Sequence, residues 1–247
     1  MKRKIAILLC LFPAVFVVCG CKSITCGRTD LAIPHLTVVF SFDDGPNTHD
    51  DTTSRLLDVL RKYEIKAMFA LIGENAEAYP ELVRRIYNEG HYLINHGYSE
   101  NWAIRMDDDE FRYNLLRGGE AISLALGREF EPRLYRPHGG FYDSRQESIC
   151  FEEGYTIVPC NIRVYDAVLS KDGMEKVIDS VVKKTIEQDG GIILLHDARE
   201  SHLSMEKNLE KNPHGAYNRS WIPGAVEKII EALIQNGFDV KGDYHPE

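Results

Sequence analysis

The feature that most constrains this chain is an alternation, sustained from residue 35 to residue 247, of short apolar runs with amphipathic stretches. The runs are of strand length: "LTVVFSF" (36–42), "KAMFALI" (66–72), "HYLIN" (91–95), "RLYRP" (133–137), "YTIVP" (155–159), "GIILL" (191–195) and "FDVK" (238–241). Between them lie stretches of helical period such as 52–63, 78–90 and 223–237. The last places residues 226, 229, 230, 233 and 234 on one apolar face, and Gly90 and Gly237 stand where helix C-caps belong. No repeat, low-complexity tract or long linker interrupts the series. Strands that alternate with helices form a parallel sheet, because a parallel connection needs a crossover. The sheet is open or closed into a barrel, and in either case the C-terminal strand ends form the functional face.

Four clusters fall at such ends: Asp43-Asp44, "NHGYSE" (95–100), "YRPHGG" (135–140) and "LLHDAR" (194–199). Each alone has a plain structural explanation, as a turn cap, a satisfied histidine or a surface ion pair. Together they converge on one rim. Adjacent residues of a strand point to opposite faces, so Asp43 and Asp44 are expected to project in different directions. Such a set suits metal-assisted hydrolysis. A carboxylate and an imidazole hold a divalent cation with positions left open, a second carboxylate takes a proton from water, and a histidine opposite protonates a leaving amine.

"SFDDGP", "GHYLINHGYS", "YRPHGG" and "IILLHD" resemble, in order, four of the five motifs of polysaccharide deacetylases, the NodB-like family 4 carbohydrate esterases. The resemblance covers about residues 36–243. It implies a distorted (β/α) barrel of about seven parallel strands and a divalent cation, zinc foremost, with manganese, cobalt or magnesium as alternatives. It also implies removal of N-acetyl, sometimes O-acetyl, groups from an N-acetylated glycan. By this resemblance Asp43 is the general base and Arg136 the arginine that orients it. Asp44 and His96 are metal ligands, the Gly139 amide helps hold the oxyanion, and His196 is the general acid. Leu194 lines the acetyl pocket, and Tyr98 and Trp102 lie close enough to the metal motif to stack on sugar.

Two positions depart from the pattern. The family's second metal histidine falls at Glu100, a legitimate ligand at the same spacing. Asp44, His96 and Glu100 carry two negative charges between them, so a divalent ion gives a neutral site and preference moves toward harder ions. His138 is a further nitrogen beside Gly139. In "NIRVYDA" (161–167), Arg163 takes the place of the aspartate that raises the pKa of the catalytic histidine, and is expected to push His196 the other way. The segment 200–221 reads as a solvated insertion, or as a lid that offers His202, His214, Tyr217 or Trp221 to sugar.

The start "MKRK", followed by an apolar run too short for a spanning helix, has the form of an export signal. It ends in Val18-Cys19-Gly20-Cys21, which resembles a lipoprotein box. The expected organisation is a signal over 1–20, a tether over 21–34 that carries lipid on Cys21, and a catalytic domain over 35–247. Ordinary cleavage and an uncleaved anchor are the alternatives. Cys26, Cys150 and Cys160 then remain, an odd number that does not suggest a disulfide framework and lacks zinc-type spacing; Cys150 and Cys160 read as two buried thiols, with a pair in an oxidising compartment as the alternative. The net charge of −9 argues against nucleic acid and anionic membrane faces as partners, and favours a neutral or cationic substrate. The expected protein is therefore an exported, lipid-anchored deacetylase of an envelope or extracellular glycan. The alternative is a catalytically impaired member that binds glycan or protein.

Overall fold

Side chains along the first long strand alternate between two apolar layers, and that alternation sets the architecture. In the computed structural model, which describes residues 34–241 and the backbone of Thr25–Cys26, this strand is β1, Val38–Asp43. Val38, Phe40 and Phe42 are buried against helices, whereas Val39 belongs to a second cluster with Met68, Ala70, Ile94, Leu134, Val158 and Ile192. The same two-residue period recurs in β2 (Met68–Leu71), β3 (Tyr92–Asn95) and β7 (Gly191–His196). A strand apolar on both faces is what a helix-covered parallel sheet requires. Three shorter strands, β4 (Leu134–Tyr135), β5 (Thr156–Ile157) and β6 (Ile162–Arg163), complete it. Cutting Phe40 or Phe42 back to Ala would cost about 3–5 kcal/mol at such fully buried sites.

All seven strands are parallel, in the order β5-β4-β3-β2-β1-β7-β6. The two edge strands follow one another in sequence, with only residues 158–161 between them. The sheet therefore curls into a distorted barrel that is not hydrogen-bonded across β5 and β6.

Among the described residues eight α-helices surround it: α1 (Thr52–Lys62), α2 (Gly73–Ala78), α3 (Pro80–Asn88), α4 (Asp108–Leu126), α5 (Ser144–Glu152), α6 (Met174–Glu187), α7 (His202–Lys211) and α8 (Ile222–Gln235). α8 packs between α1 and α6, and α4 covers α2 and α3. Local chemistry fixes the ends. α4 opens on a capping box between Asp107 and Glu110 and closes on Gly127 at φ 68, and α5 opens on a second box between Asp143 and Gln146.

Two sequence expectations are corrected. Residues 238–241 make only a bridge from Thr37 to Asp239, and the seventh strand is β6, two residues long and without an apolar run to announce it. The helix expected over 78–90 begins at Pro80, because Tyr79 before it takes φ −129, ψ 55 and ends α2. The insertion 200–221 carries a helix, α7. The expected signal, tether and Cys21 lie outside the described residues. Among the described residues no helix is long and apolar enough to cross a membrane.

Candidate active site

Asp43 is the last residue of β1 and shares the inward parity of Val39 and Ser41. Its carboxylate accepts a hydrogen bond from Arg136, whose Nη1 also lies 2.6 Å from Ser41 Oγ. Both residues are buried. Arg136 follows β4, and its amide donates to the Asn95 carbonyl at 2.9 Å.

Asp44 corrects the expectation of divergence. It adopts φ 73, the left-handed region that an aspartate enters at a cost of about 1–3 kcal/mol. This turns its side chain back toward that of Asp43. His96 Nε2 then lies 3.7 Å from Asp43 Oδ2 and 3.4 Å from Asp44 Oδ1. The Asp44 carbonyl accepts from Asn75 Nδ2 at 2.8 Å, which holds the turn.

His96 Nδ1 donates to the Arg136 carbonyl at 2.8 Å, so the neutral ring presents the lone pair of Nε2 to the two carboxylates. A lone pair that faces acceptors calls for a proton or a cation between them. Burial disfavours the charged ring, but the two aspartates outweigh it and raise its pKa. His138 completes the group. Its Nδ1 is buried without a hydrogen-bond partner and lies 3.6 Å from Asp44 Oδ1. Burial lowers its pKa to about 4, so the ring is neutral with electrons to give. Asp44, although buried, is held strongly ionised by the histidines around it. Among the described residues, Asp44, His96 and His138 form one group whose donor atoms lie within 4.8 Å of one another. A carboxylate and two imidazoles, one of them with an orphaned ring nitrogen, fit a divalent cation.

Glu100 is not part of that group, which corrects the ligand set expected from spacing. Its carboxylate accepts from the Ser201 amide at 2.5 Å and from Ser204 Oγ at 2.8 Å, at the start of α7. The loop after His96 wraps around Asn114, whose Oδ1 accepts from the Tyr98 and Ser99 amides at 3.0 Å each. That wrapping carries residue 100 away from the cation group.

Across the cleft, His196 ends β7. Its Nδ1 lies 2.9 Å from Asp166 Oδ1, and its amide donates to Asp166 Oδ2 at 2.9 Å. Asp166 is fully buried and in turn accepts from Arg219 Nη2 at 2.5 Å. Burial works against the charged imidazole, but the Asp166 carboxylate outweighs it and raises the His196 pKa to about 9. The expectation that Arg163 would depress His196 is thereby corrected, because the aspartate that tunes it is present, three residues farther on. Arg219 had no sequence signal. It lies within the segment read as a solvated insertion, yet it is fully buried and its guanidinium ties Asp166 to the carbonyls of His196 and Leu169.

The cleft over these groups encloses about 580 Å3. Leu194, Gly139 and Trp102 line it, together with Tyr165, Arg163 and Glu200. Gly139 takes φ 80, and a Cβ there would come within 3.0 Å of the Trp102 ring. Trp102 is 44% exposed. Tyr98 is not among the lining residues. Its hydroxyl donates to Glu77 at 3.1 Å, and the Arg117 guanidinium stacks 4.7 Å from its ring centre, on the outer side between α2 and α4. His202, His214, Tyr217 and Trp221 do not line the cleft either: Trp221 is buried, and His202 packs against Tyr79.

Residues 33–158, about half of the chain, match a family described as polysaccharide deacetylase. A peptidoglycan-N-acetylglucosamine deacetylase of Bacillus cereus is 31% identical over 67% of this chain and 58% of its own length, so the match spans less than two thirds of that relative. A chitooligosaccharide deacetylase of a Bradyrhizobium species is 28% identical over 83% of this chain and 87% of its own. The crystal structure of a peptidoglycan N-acetylglucosamine deacetylase superposes with a TM-score of 0.65 at 27% identity, covering 86% of each chain.

Proposed function

From the premise that this chain belongs to the polysaccharide deacetylase family, we propose that it removes N-acetyl groups, with O-acetyl groups as the alternative, from a cell-envelope or extracellular glycan. The observation that carries this reading is the cleft itself. A group fit for a divalent cation stands beside the Asp43–Arg136 pair, and a histidine tuned by a buried aspartate lines the same cleft.

Asp44, His96 and His138 would hold the cation, which supplies Lewis acidity toward the acetyl carbonyl. One carboxylate and two neutral imidazoles leave a net positive centre, unlike the neutral one that Glu100 would have made. Nitrogen-rich ligation also favours zinc over the harder ions. Asp43 takes a proton from the attacking water, with its carboxylate aimed by Arg136. The Gly139 amide supports the oxyanion, and Leu194 packs on the acetyl methyl. His196, held by Asp166 through Nδ1, presents Nε2 to the leaving nitrogen and gives it the proton that makes it an amine. Arg219 keeps Asp166 ionised and fixed. Trp102 offers its exposed face to a sugar ring.

The domain responsible is residues 35–247. The basic start and apolar run support export of this domain, and the Val-Cys-Gly-Cys sequence supports lipid attachment at Cys21 after a tether of residues 21–34. Mass spectrometry of the mature N-terminus tests that anchoring, since a diacylglyceryl mass on Cys21 supports it and an unmodified terminus elsewhere contradicts it.

The activity is tested by acetate release from N-acetylglucosamine oligomers, peptidoglycan and acetylated xylan with zinc-loaded protein. Release from an N-acetylated polymer, absent in Asp43→Asn, is the expected result. No release from any of the three contradicts the reading.

A further inference from the structure

Four consecutive residues at the junction of β2 and α2 hold the loops that form the cleft. The Ile72 amide donates to the Gly45 carbonyl at 3.2 Å, that of Gly73 to the Gly97 carbonyl at 2.9 Å, and that of Glu74 to the Tyr98 carbonyl at 3.0 Å. The first fastens the turn after β1, which carries Asp44, and the other two fasten the loop after His96. A Cβ on Gly73 would come within 2.8 Å of the Tyr98 ring, so that loop sits directly on the junction. The fourth residue, Asn75, is fully buried and acts through its side chain.

Asn75 Nδ2 donates to the Asp44 carbonyl at 2.8 Å and to the Glu200 carbonyl at 3.1 Å, and Oδ1 accepts from the His202 amide at 2.6 Å. These partners fix the sense of the side-chain amide, because a backbone amide only donates and a carbonyl only accepts. Both carbonyls belong to non-glycine residues in the left-handed region, Asp44 at φ 73 and Glu200 at φ 64. Such backbone persists only where its surroundings over-determine it. Here one side chain holds two of these residues, a member of the cation group and a residue that lines the cleft.

We propose that Asn75 is a positioning residue for the cation group: its amide keeps the Asp44 peptide in the left-handed turn that brings the Asp44 carboxylate beside His96 and His138. Released from it, the Asp44 backbone relaxes to the extended region, where adjacent side chains point to opposite faces and the carboxylate leaves the group. The same amide holds Glu200 and, through His202, the start of α7, so the cation group and that part of the cleft wall share one frame. This rests on the deacetylase reading for the choice of cation but is measured with no substrate present.

The test is a calorimetric zinc titration of wild-type and Asn75→Ala protein. The variant is expected to bind zinc about 10–100-fold more weakly, the worth of an outer partner of a metal ligand. Leu60→Ala, fully buried in α1 and not in the cleft lining, is the control: it lowers stability in denaturant unfolding but should leave zinc affinity unchanged. His202→Pro probes the same frame without touching Asn75. Proline suits the first residue of α7, after Ser201 at ψ 157, and it removes the amide that Asn75 Oδ1 accepts. Its loss of zinc affinity should be smaller than that of Asn75→Ala and should vanish in the Asn75→Ala background. Unchanged zinc affinity in Asn75→Ala, an equal loss in Leu60→Ala, or a His202→Pro effect that persists without Asn75 overturns the proposal. Should Asn75→Ala not fold, His202→Pro alone decides, and unchanged zinc affinity there overturns it. Acetate release by wild-type protein is followed in parallel. Release with a zinc affinity indifferent to Asn75 sinks this inference and leaves the hydrolase standing. Zinc affinity lost in Asn75→Ala, without release from any glycan by the wild type, does the reverse. A wild-type protein that binds no zinc overturns both.

Discussion

Asp44 and His138 approach to 3.6 Å, Oδ1 to Nδ1, and the histidine nitrogen has no hydrogen-bond partner. That relationship, between the end of β1 and the turn after β4, is the basis for assigning His138, and not Glu100, to the group that would hold a cation. His138→Ala should lower zinc affinity at least about 100-fold, the upper range for losing even an outer partner of a metal ligand. Glu100→Ala should leave zinc affinity unchanged and destabilise the fold by about 1–3 kcal/mol, because it strips the start of α7 of its acceptor. Calorimetric zinc titration and denaturant unfolding separate the two outcomes. A larger loss of zinc from Glu100→Ala than from His138→Ala would reverse the assignment.

Asp43→Asn should cut the rate of acetate release by about 10²–10⁴-fold, the usual worth of a general base. The amide can still face Arg136, and Asp43 is outside the cation group, so zinc content should stay stoichiometric. Loss of zinc together with activity would place Asp43 among the ligands instead.

The pH profile reports on the opposite wall. His196 must carry its proton to act as an acid, and its pKa is raised to about 9, so kcat/KM should fall on the alkaline side near that pH. Asp166→Asn removes the carboxylate that raises it. The alkaline limb should then move down toward about 6.5, the ordinary imidazole value. An alkaline limb that stays in place in Asp166→Asn contradicts the tuning. Arg219→Met is the complementary change. It leaves Asp166 buried without its guanidinium and should cost about 3–5 kcal/mol in denaturant unfolding.

His91, buried below the sheet at the start of β3, gives a stability signature separate from catalysis. Its Nδ1 accepts the Ala67 amide at 3.1 Å, and burial, helped by the nearby cations of Lys66 and Arg85, lowers its pKa to about 4. The folded-state value is depressed, so the unfolded chain binds a proton more readily. The contribution is fully present above about 6.5 and is lost as pH falls from there to about 4, amounting to about 3 kcal/mol. His91→Asn keeps a side-chain acceptor for Ala67 and should remove this component from the pH dependence of unfolding. An unchanged slope in the variant would assign the loss to other groups.

Much of the fold was legible because β1, β2, β3 and β7 are apolar on both faces and long enough to stand out. β6 was not, since two residues, one of them Arg163, carry no period. That same brevity hid which residue of "NIRVYDA" turns toward His196. Only the turn after the strand brings Asp166 there, while Arg163 faces the cleft. The Asp43, Asp44, His96, Arg136 and His196 positions could be named from strand ends and motif order. The exchange of Glu100 for His138 could not, because a four-residue spacing reads as a shared site only if the loop runs straight. Here Asn114, on a helix that begins twelve residues after His96, bends it. Long-range contacts of that kind leave no local mark in a sequence.

The most direct measurement is a crystal of zinc-loaded protein, with an anomalous difference map recorded at the zinc edge. The account predicts one peak bound by an Asp44 carboxylate oxygen, His96 Nε2 and His138 Nδ1, with Glu100 still turned to Ser201 and Ser204. A peak bound by Glu100, with His138 turned aside, would contradict it.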